Sequence, residues 1–224
     1  MDTLIVMAKA PRAGVAKTRL AAAPELGPDG AARLAAALLD DTLATARGFV
    51  RAAGERELVL AFAPDEERAW FASAAPDARL LAQGAGTLSP RLVRATRDAF
   101  DRGAHRVVVV GTDAPELSVN DLERAFEALA RRAVVLGPSA DGGYWLVGLA
   151  RPCDALFEHV PWSTEHVLAS TRARAAELGL EVELQDLHFD VDEPADLARA
   201  KRWLASTAVD RAPALRAELT RLRT

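Results

Sequence analysis

A regular alternation of short apolar segments with longer amphipathic ones constrains the fold of this chain more than any other feature. The clearest apolar segment, residues 106–111, contains four consecutive valines, which is typical of a parallel strand buried on both faces of a sheet. The same patterning predicts strands at 3–8, 57–63, 79–82, 133–137, 144–149 and 180–184. It predicts helices at 28–50, 64–74, 89–102, 163–178 and 214–222, and two further helices that begin after Ser118 and near Pro194. We therefore expect an α/β fold, one domain over residues 1–224, in which helices flank both faces of a mostly parallel sheet.

Composition and charge exclude several classes of protein. Half of the 224 residues are hydrophobic and 27% are charged, which is the balance of a globular protein. The net charge of −4 argues against a broad basic face for nucleic acid, the single cysteine excludes an internal disulfide framework, and the four histidines lack zinc-finger spacing. No apolar run is long enough to span a bilayer, and the order of residues at the N-terminus is the reverse of a secretory signal. We expect a cytoplasmic protein without nucleic-acid or membrane partners.

The loop after the first predicted strand is unusually rich in cations. The chain has three lysines against 25 arginines, and two of the lysines, Lys9 and Lys17, lie in this loop. Ligands bind outside the carboxyl ends of parallel strands, where cations and free backbone N–H groups suit a phosphate chain. The predicted phosphate-binding residues are Lys9, Arg12, Gly14, Lys17, Thr18 and Arg19, with a helix beginning near Lys17. A P-loop is excluded because Pro11 and Ala16 stand where it requires glycines; a solvated basic loop is the alternative.

Two acidic segments are candidate metal sites. Asp113 follows the valine-rich strand, where a carboxylate against a low-dielectric core needs a partner such as a divalent cation. A turn or cap before Pro115 is the alternative. Asp190 and Asp192 are two residues apart, so in extended geometry they share a face, as two metal ligands could. Capping of the next helix by Asp192 is the alternative there, and it leaves Asp190 free.

A further segment, residues 139–145, combines paired glycines with aromatic residues. Glycines let a ligand approach the backbone, and aromatic side chains offer a stacking face for a sugar or a base. Because Asp-Gly is a strong turn signal, Asp141-Gly142 also predicts a hairpin, and a hairpin can itself line a pocket.

Five motifs occur in an order that is specific when they are taken together. They are Lys9-Ala-Pro…Gly14…Lys17-Thr-Arg19-Leu20, Gly111-Thr-Asp113-Ala-Pro115, Asp141-Gly-Gly-Tyr144-Trp145-Leu-Val-Gly148-Leu, Pro161-Trp162-Ser163-Thr164 and Asp190-Val-Asp192-Glu-Pro194. On these motifs the chain resembles the radical-SAM/selenodomain-associated transferase 1 family, a domain of unknown function, over residues 3–202. That family belongs to the GT-A-fold nucleotide-diphospho-sugar transferase superfamily, which includes the molybdenum-cofactor and phospholactate guanylyltransferases.

The resemblance implies a GT-A-like fold and a site built from all five motifs. It implies that nucleotide phosphates are held by Lys9, Lys17 and Arg19, and a divalent cation (Mg²⁺ or Mn²⁺) by Asp113, Asp190 and Asp192. We predict the acceptor or sugar pocket at Asp141, Gly142, Gly143, Tyr144 and Trp162. The chain departs from the family in one loop. Family members usually have Gly-Asp-Leu-Gly before an arginine, whereas this chain has Gly86-Thr87-Leu88-Ser89-Pro90-Arg91 and so lacks that acid.

Transfer from a nucleotide donor to a small-molecule acceptor is therefore the predicted activity, with Asp113, Lys17 and Asp141 as catalytic residues. The main prediction is a glycosyltransferase that uses an NDP-sugar, with Asp141 as the base. The alternative is a guanylyltransferase-like nucleotidyltransferase, in which an acceptor phosphate or carboxylate attacks the α-phosphate and no base is needed. In both, a metal ion and basic side chains would stabilise charge on the leaving group. A nucleotide-binding protein without catalysis is the third hypothesis.

Overall fold

The computed structural model describes residues 1–222 and contains a seven-stranded sheet in the order β3-β2-β1-β4-β6-β5-β7. The strands are β1 (Asp2–Lys9), β2 (Arg56–Ala63), β3 (Arg79–Ala82), β4 (Arg106–Val110), β5 (Val134–Pro138), β6 (Tyr144–Leu149) and β7 (Val182–Leu184). The helices are α1 (Gly27–Ala52), α2 (Arg68–Ala74), α3 (Leu88–Asp101), α4 (Val119–Ala128), α5 (Val167–Glu177), α6 (Pro194–Ser206) and α7 (Pro213–Arg221). The expected α/β fold with a mostly parallel sheet is confirmed.

One strand runs against the others. β1 pairs in parallel with β2 and β4, as do β2 with β3 and β5 with β7, but β6 lies antiparallel between β4 and β5. The cause is the hairpin predicted at Asp141-Gly142, because a connection this short returns the chain beside β5 in the opposite direction. The hairpin therefore brings β6, with its aromatic residues, next to the valine-rich strand.

The four valines of β4 show why helices cover both faces of the sheet. Alternate side chains of a strand point to opposite faces, so Val108 and Val110 join the core formed with α1, α2 and α4. Val107 and Val109 join the core formed with α3 and α5. A third cluster packs the first half of α1 against α6 and α7 and includes Val191, which anchors the acidic segment beside the sheet.

Several helix ends differ from the sequence-based expectations, although α4 begins after Ser118 as predicted, with a capping box formed by Ser118 and Asp121. No helix begins at Lys17, because that residue has φ = 53°, and only one 3-10 turn (Leu20–Ala22) follows. α5 begins at Val167 rather than near residue 163, since Ser163 is also left-handed at φ = 64°. The C-terminal helix predicted at 214–222 matches α7 to within one residue at each end. Residues 223–224 of the predicted domain lie outside the described residues.

Within residues 1–222, no helix combines the length and the apolar character that crossing a membrane requires.

Candidate active site

Two adjoining clefts open at the carboxyl ends of the central strands. The larger, of about 580 Å³, extends from Lys17, Asp113 and Asp192 over the ends of β1 and β4 to a wall formed by Gln83, Gly86, Thr87, Leu88 and Arg91. The second, of about 540 Å³, is lined by Lys9, Val15, Lys17, Thr18, Arg19, Asp141, Ser163, Thr164, Glu165 and Asp192. Lys17 and Asp192 line both, so segments far apart in sequence converge where the clefts meet.

Lys17 is the centre of this convergence. Its side chain is only 5% exposed, and its Nζ donates hydrogen bonds to Oδ1 of Asp113 and, at 2.6 Å, to Oδ1 of Asp192. Burial disfavours the charged ammonium, but the attraction of the two carboxylates outweighs it and raises the pKa of Lys17 above its usual value. Lys17 is therefore a firmly charged, buried ammonium that ties the first loop to the loops that follow β4 and β7.

The backbone of the loop that carries Lys17 adopts left-handed conformations at two positions. Gly14 takes φ = 77° in the turn closed by the hydrogen bond from Val15 N to Arg12 O, and Lys17 itself is left-handed. A non-glycine residue in this region costs about 1–3 kcal/mol, and such strain concentrates at functional sites. Ser163, across the second cleft, shares the left-handed conformation.

Asp113 and Asp192 differ from Asp190 in their exposure and in what they contact. Their side chains are 43% and 45% exposed, and both contact Lys17. Asp192 does not cap α6, because Glu193 is the N-cap and forms a capping box with Asp196. The alternative, capping by Asp192, is therefore wrong, and the Asp192 carboxylate lines the cleft.

Asp190 is half-buried, and its partner differs from that of the other two carboxylates. It accepts a hydrogen bond from the hydroxyl of Ser139 and makes no contact with Lys17. Burial raises the pKa of Asp190 to about 7, the Ser139 hydrogen bond opposes the rise, and the nearby charges of Asp113, Asp141 and Asp192 add to it. Asp190 is therefore only partly ionised near neutral pH.

The acidic side chains fit a metal ion that arrives with a substrate better than a resident one. Among residues 1–222, no group of three or more His, Cys, Asp or Glu side chains has an arrangement suited to holding a metal. Magnesium is commonly bound by one or two carboxylates together with substrate phosphates and water. Asp113 and Asp192, both half-exposed and already facing one cation, provide that pair.

The basic side chains of the first loop are divided between the clefts and the surface. Lys9 lines both clefts, and Thr18 and Arg19 line the second. Nη1 of Arg19 lies 3.6 Å from Oε1 of Glu193. Arg12 points elsewhere: it forms a bidentate ion pair with Glu67 (3.0 and 2.9 Å) and lies 5.4 Å from the ring centroid of Trp70. The predicted phosphate site therefore retains its lysines in the clefts, whereas Arg12 is outside them.

The glycine–aromatic segment also reaches both clefts. Asp141 lines the second cleft and accepts a hydrogen bond from Gly143 N (2.8 Å), while Tyr144 lines the first. Burial raises the pKa of the Tyr144 hydroxyl. Trp162 is not among the residues that line the two clefts; its ring packs edge-on against Tyr144, with centroids 5.9 Å apart.

Ser89, in the loop that departs from the family pattern, has a structural role. Its hydroxyl donates to Phe157 O and accepts from Trp162 Nε1, both at 2.6 Å. It thereby joins the wall at the start of α3 to the segment that supports Tyr144.

We predict that Gly142→Ala destabilises the protein by more than about 1–2 kcal/mol. Gly142 has φ = 88°, where any L side chain pays roughly that cost, and an added Cβ would also overlap the backbone carbonyl of Glu165. Urea unfolding measures the change. Gly54→Ala is the matched control, since its Cβ would meet nothing within 4 Å and its φ is not left-handed. Equal stability of the two variants would contradict the described packing.

His188 gives the fold a predicted dependence on pH. It is buried, stacks on Trp145 at 4.2 Å, and has a pKa lowered by burial from its ordinary 6.5, with Asp121 and other acids opposing the shift. Because the unfolded chain takes up this proton first, the contribution of His188 lowers the free energy of unfolding as the pH drops below about 6.5, whereas Asp190, with its raised pKa, contributes in the opposite direction. In His188→Phe, which keeps a ring against Trp145, the change in the free energy of unfolding from pH 7.5 to 5.5 should therefore be more positive than in the wild type. An unchanged pH dependence would show that His188 ionises equally in both states.

Gln83 and Arg91, in the wall of the larger cleft, were not among the predicted site residues. The loop after β3 was noted in the sequence only for its departure from the family pattern at residues 86–91. The signal was present, because β3 is a parallel strand and its carboxyl end meets the same edge of the sheet.

The fold is that of the nucleotide-diphospho-sugar transferases of the GT-A type. Residues 45–164 match a family described as "Uncharacterized protein conserved in bacteria (DUF2064)", and the chain belongs to this family. It is 31% identical over 198 residues to the phosphoenolpyruvate guanylyltransferase of Sphaerobacter thermophilus, covering 87% of this chain and 91% of that protein. The resemblance to guanylyltransferase-related GT-A families is thereby confirmed.

Solved structures agree on the fold. A candidate nucleotide-diphospho-sugar transferase from Desulfovibrio desulfuricans G20 superposes with a TM-score of 0.86 at 27% identity, covering 99% of this chain and 96% of that one. The 4-diphosphocytidyl-2C-methyl-D-erythritol synthase of Anaerococcus prevotii gives a TM-score of 0.60 at 12% identity, covering 92% and 96%.

Proposed function

We propose that the protein is a nucleotidyltransferase that moves a nucleoside monophosphate from a nucleoside triphosphate to a small anionic acceptor. The observation that carries the proposal is the buried Lys17 ammonium between Asp113 and Asp192, at the junction of two clefts. The guanylyltransferase relative supports this alternative over the glycosyl transfer that was the main expectation, and it suggests GTP and phosphoenolpyruvate as the first substrates to test.

The two clefts suit the two substrates of such a reaction. The larger has apolar residues of β1, β4 and β6 in its lining, against which a nucleoside could pack, and it contains Lys17, where the phosphates would lie. The second is lined by Lys9, Lys17 and Arg19 on one side of the charge balance and by Asp141, Glu165 and Asp192 on the other. Its cationic side chains and the Thr18 hydroxyl would hold the phosphate or carboxylate of an acceptor. The acceptor oxygen would attack the α-phosphorus as the bond to the β-phosphate breaks, and pyrophosphate would leave.

The side chains of this chain supply binding and charge stabilisation rather than proton transfer. An acceptor phosphate or carboxylate is already ionised at neutral pH, so no base is required. Lys17 and Lys9 would stabilise the charge that develops on the leaving pyrophosphate. Asp113 and Asp192 would hold a divalent cation, Mg²⁺ or Mn²⁺, which when bound neutralises phosphate oxygens. Lys17 keeps these two carboxylates together until substrate binds.

Glycosyl transfer from an NDP-sugar is the second candidate. Asp141, the base it requires, lines the second cleft and is exposed. The similarity to a candidate nucleotide-diphospho-sugar transferase also favours it.

A thermal-shift panel tests the proposal directly. Ligand at 100 times its Kd stabilises the folded state by about 2.7 kcal/mol, or about 5–10 °C in Tm for a chain of this size. We expect GTP with Mn²⁺ to produce such a shift, EDTA to abolish it, and NDP-sugars to produce little. The reverse preference would favour glycosyl transfer. Stabilisation without any turnover would favour the third hypothesis, a nucleotide-binding protein.

A further inference from the structure

The wall of the larger cleft opposite Lys17 contains an arginine in a fixed position. Gln83 is buried, and its Nε2 donates to the carbonyl oxygens of Ala8 (3.2 Å) and Ala61 (2.8 Å). Only an amide nitrogen can satisfy two carbonyl acceptors, so the orientation of the Gln83 side chain is determined. Its Oε1 therefore faces Arg91, whose Nη1 donates to it at 3.3 Å.

Arg91 is anchored but retains unused donors. Besides the bond to Gln83, its Nε donates to Gly86 O at 3.0 Å. Within residues 1–222, no carboxylate lies within ion-pair distance of Arg91, and no hydrogen bond involves its Nη2. A guanidinium carries five N–H donors, so the outer edge of this one is free to meet a ligand in the cleft.

The sheet places this wall at a suitable distance from the phosphate end. Gln83 follows β3, which lies two strands from β1 in the sheet, and Lys17 follows β1. Neighbouring strands are about 4.8 Å apart, so the backbone of Gln83 lies roughly 10 Å to the side of β1, and its side chain reaches back across β2 to Ala8 O. A nucleotide with its phosphates at Lys17 and its sugar over the floor of the cleft would present its base to Arg91.

We propose that Arg91, positioned by Gln83, selects guanine by donating hydrogen bonds to O6 and N7 of the base. The inference rests on the proposed function and adds the substrate class of the same cleft. Guanine offers two adjacent acceptors on this edge, whereas adenine offers N7 beside an amino group that would oppose an arginine donor. A bidentate arginine contact to guanine discriminates against the wrong base by about 10- to 100-fold.

Calorimetric titration of the whole protein with Mg²⁺ and four triphosphates tests the assignment. GTP and ITP should bind equally, because inosine keeps O6 and N7 and lacks only the 2-amino group. ATP and 7-deaza-GTP should bind about 10- to 100-fold more weakly than GTP. Binding of ITP as weak as that of ATP, or equal binding of GTP and 7-deaza-GTP, would overturn the proposed contact.

Variants at Arg91 separate base recognition from other roles. Arg91→Met should weaken GTP binding to the level of ATP and leave ATP binding unchanged. Arg91→Lys should also lose discrimination, since an ammonium keeps the charge but not the fork. Arg97→Met, on the same helix with its ion pair to Asp154 outside the cleft, should bind GTP like the wild type. An equal loss for GTP and ATP in Arg91→Met would identify a phosphate contact instead and overturn the inference.

The failure of this inference is distinct from the failure of the proposed function. If no triphosphate binds in a metal-dependent manner, both are wrong. If triphosphates bind with metal but without preference for guanine, the role of Arg91 is wrong and nucleotidyl transfer stands. Melting curves of each variant establish that it is folded before titration.

Discussion

Lys17→Met is expected to lower kcat/KM for nucleotidyl transfer by about 10²- to 10³-fold, the loss that follows removal of one preorganised donor to a developing negative charge. Methionine fills similar space, but it leaves Asp113 and Asp192 facing each other without the ammonium, and it removes one of the two lysines that would stabilise the departing pyrophosphate. Initial rates of product formation measure the effect.

The chain offers a matched control for this variant. Lys201, the third lysine, lies on α6 and lines neither cleft, so Lys201→Met should retain wild-type activity. If folded Lys17→Met kept more than a tenth of the wild-type rate, Lys17 would not be part of the catalytic machinery.

The double variant Asp113→Ala/Asp192→Ala is expected to lose about 3–5 kcal/mol of stability, the cost of leaving a buried charge without its partner. Each single variant should lose much less, because Lys17, 5% exposed, would still contact the remaining carboxylate. The double effect should therefore exceed the sum of the single effects, as expected for residues that share one partner. Urea unfolding of the four proteins measures this coupling.

A triple variant distinguishes charge from packing in that result. Adding Lys17→Met to the double variant removes the unpaired ammonium and should restore much of the lost stability. If the single effects added and the third substitution restored nothing, the buried ammonium would not be what the carboxylates stabilise.

The fold could be predicted from the sequence because the local pattern of apolar residues agrees with the positions of the strands in the sheet. The valines of β4 are apolar on both faces, so their burial in the middle of the sheet follows from the pattern alone. The carboxyl-end rule likewise brought Lys17, Asp113 and Asp192 to one edge, although they are 96 and 79 residues apart in sequence.

What could not be predicted depends on tertiary partners. Arg12 lies outside the clefts because its side chain contacts Glu67 and Trp70, which belong to a different loop and helix. The conformational cost of the left-handed backbone at Lys17 is offset by the ion pairs of its side chain with two distant carboxylates. Nothing in the local sequence favours this conformation over a helix start. The role of Arg91 depends on the orientation of Gln83, which is determined by carbonyl groups of two other strands.

The most direct test of nucleotidyl transfer follows the α-phosphate. The protein is incubated with Mg²⁺, phosphoenolpyruvate and GTP labelled at the α-phosphorus, and the products are separated by chromatography. The account predicts that label enters a new species only when the acceptor is present, with one pyrophosphate released for each labelled product. Label that stays in GTP, while an NDP-sugar is turned over under the same conditions, would contradict it.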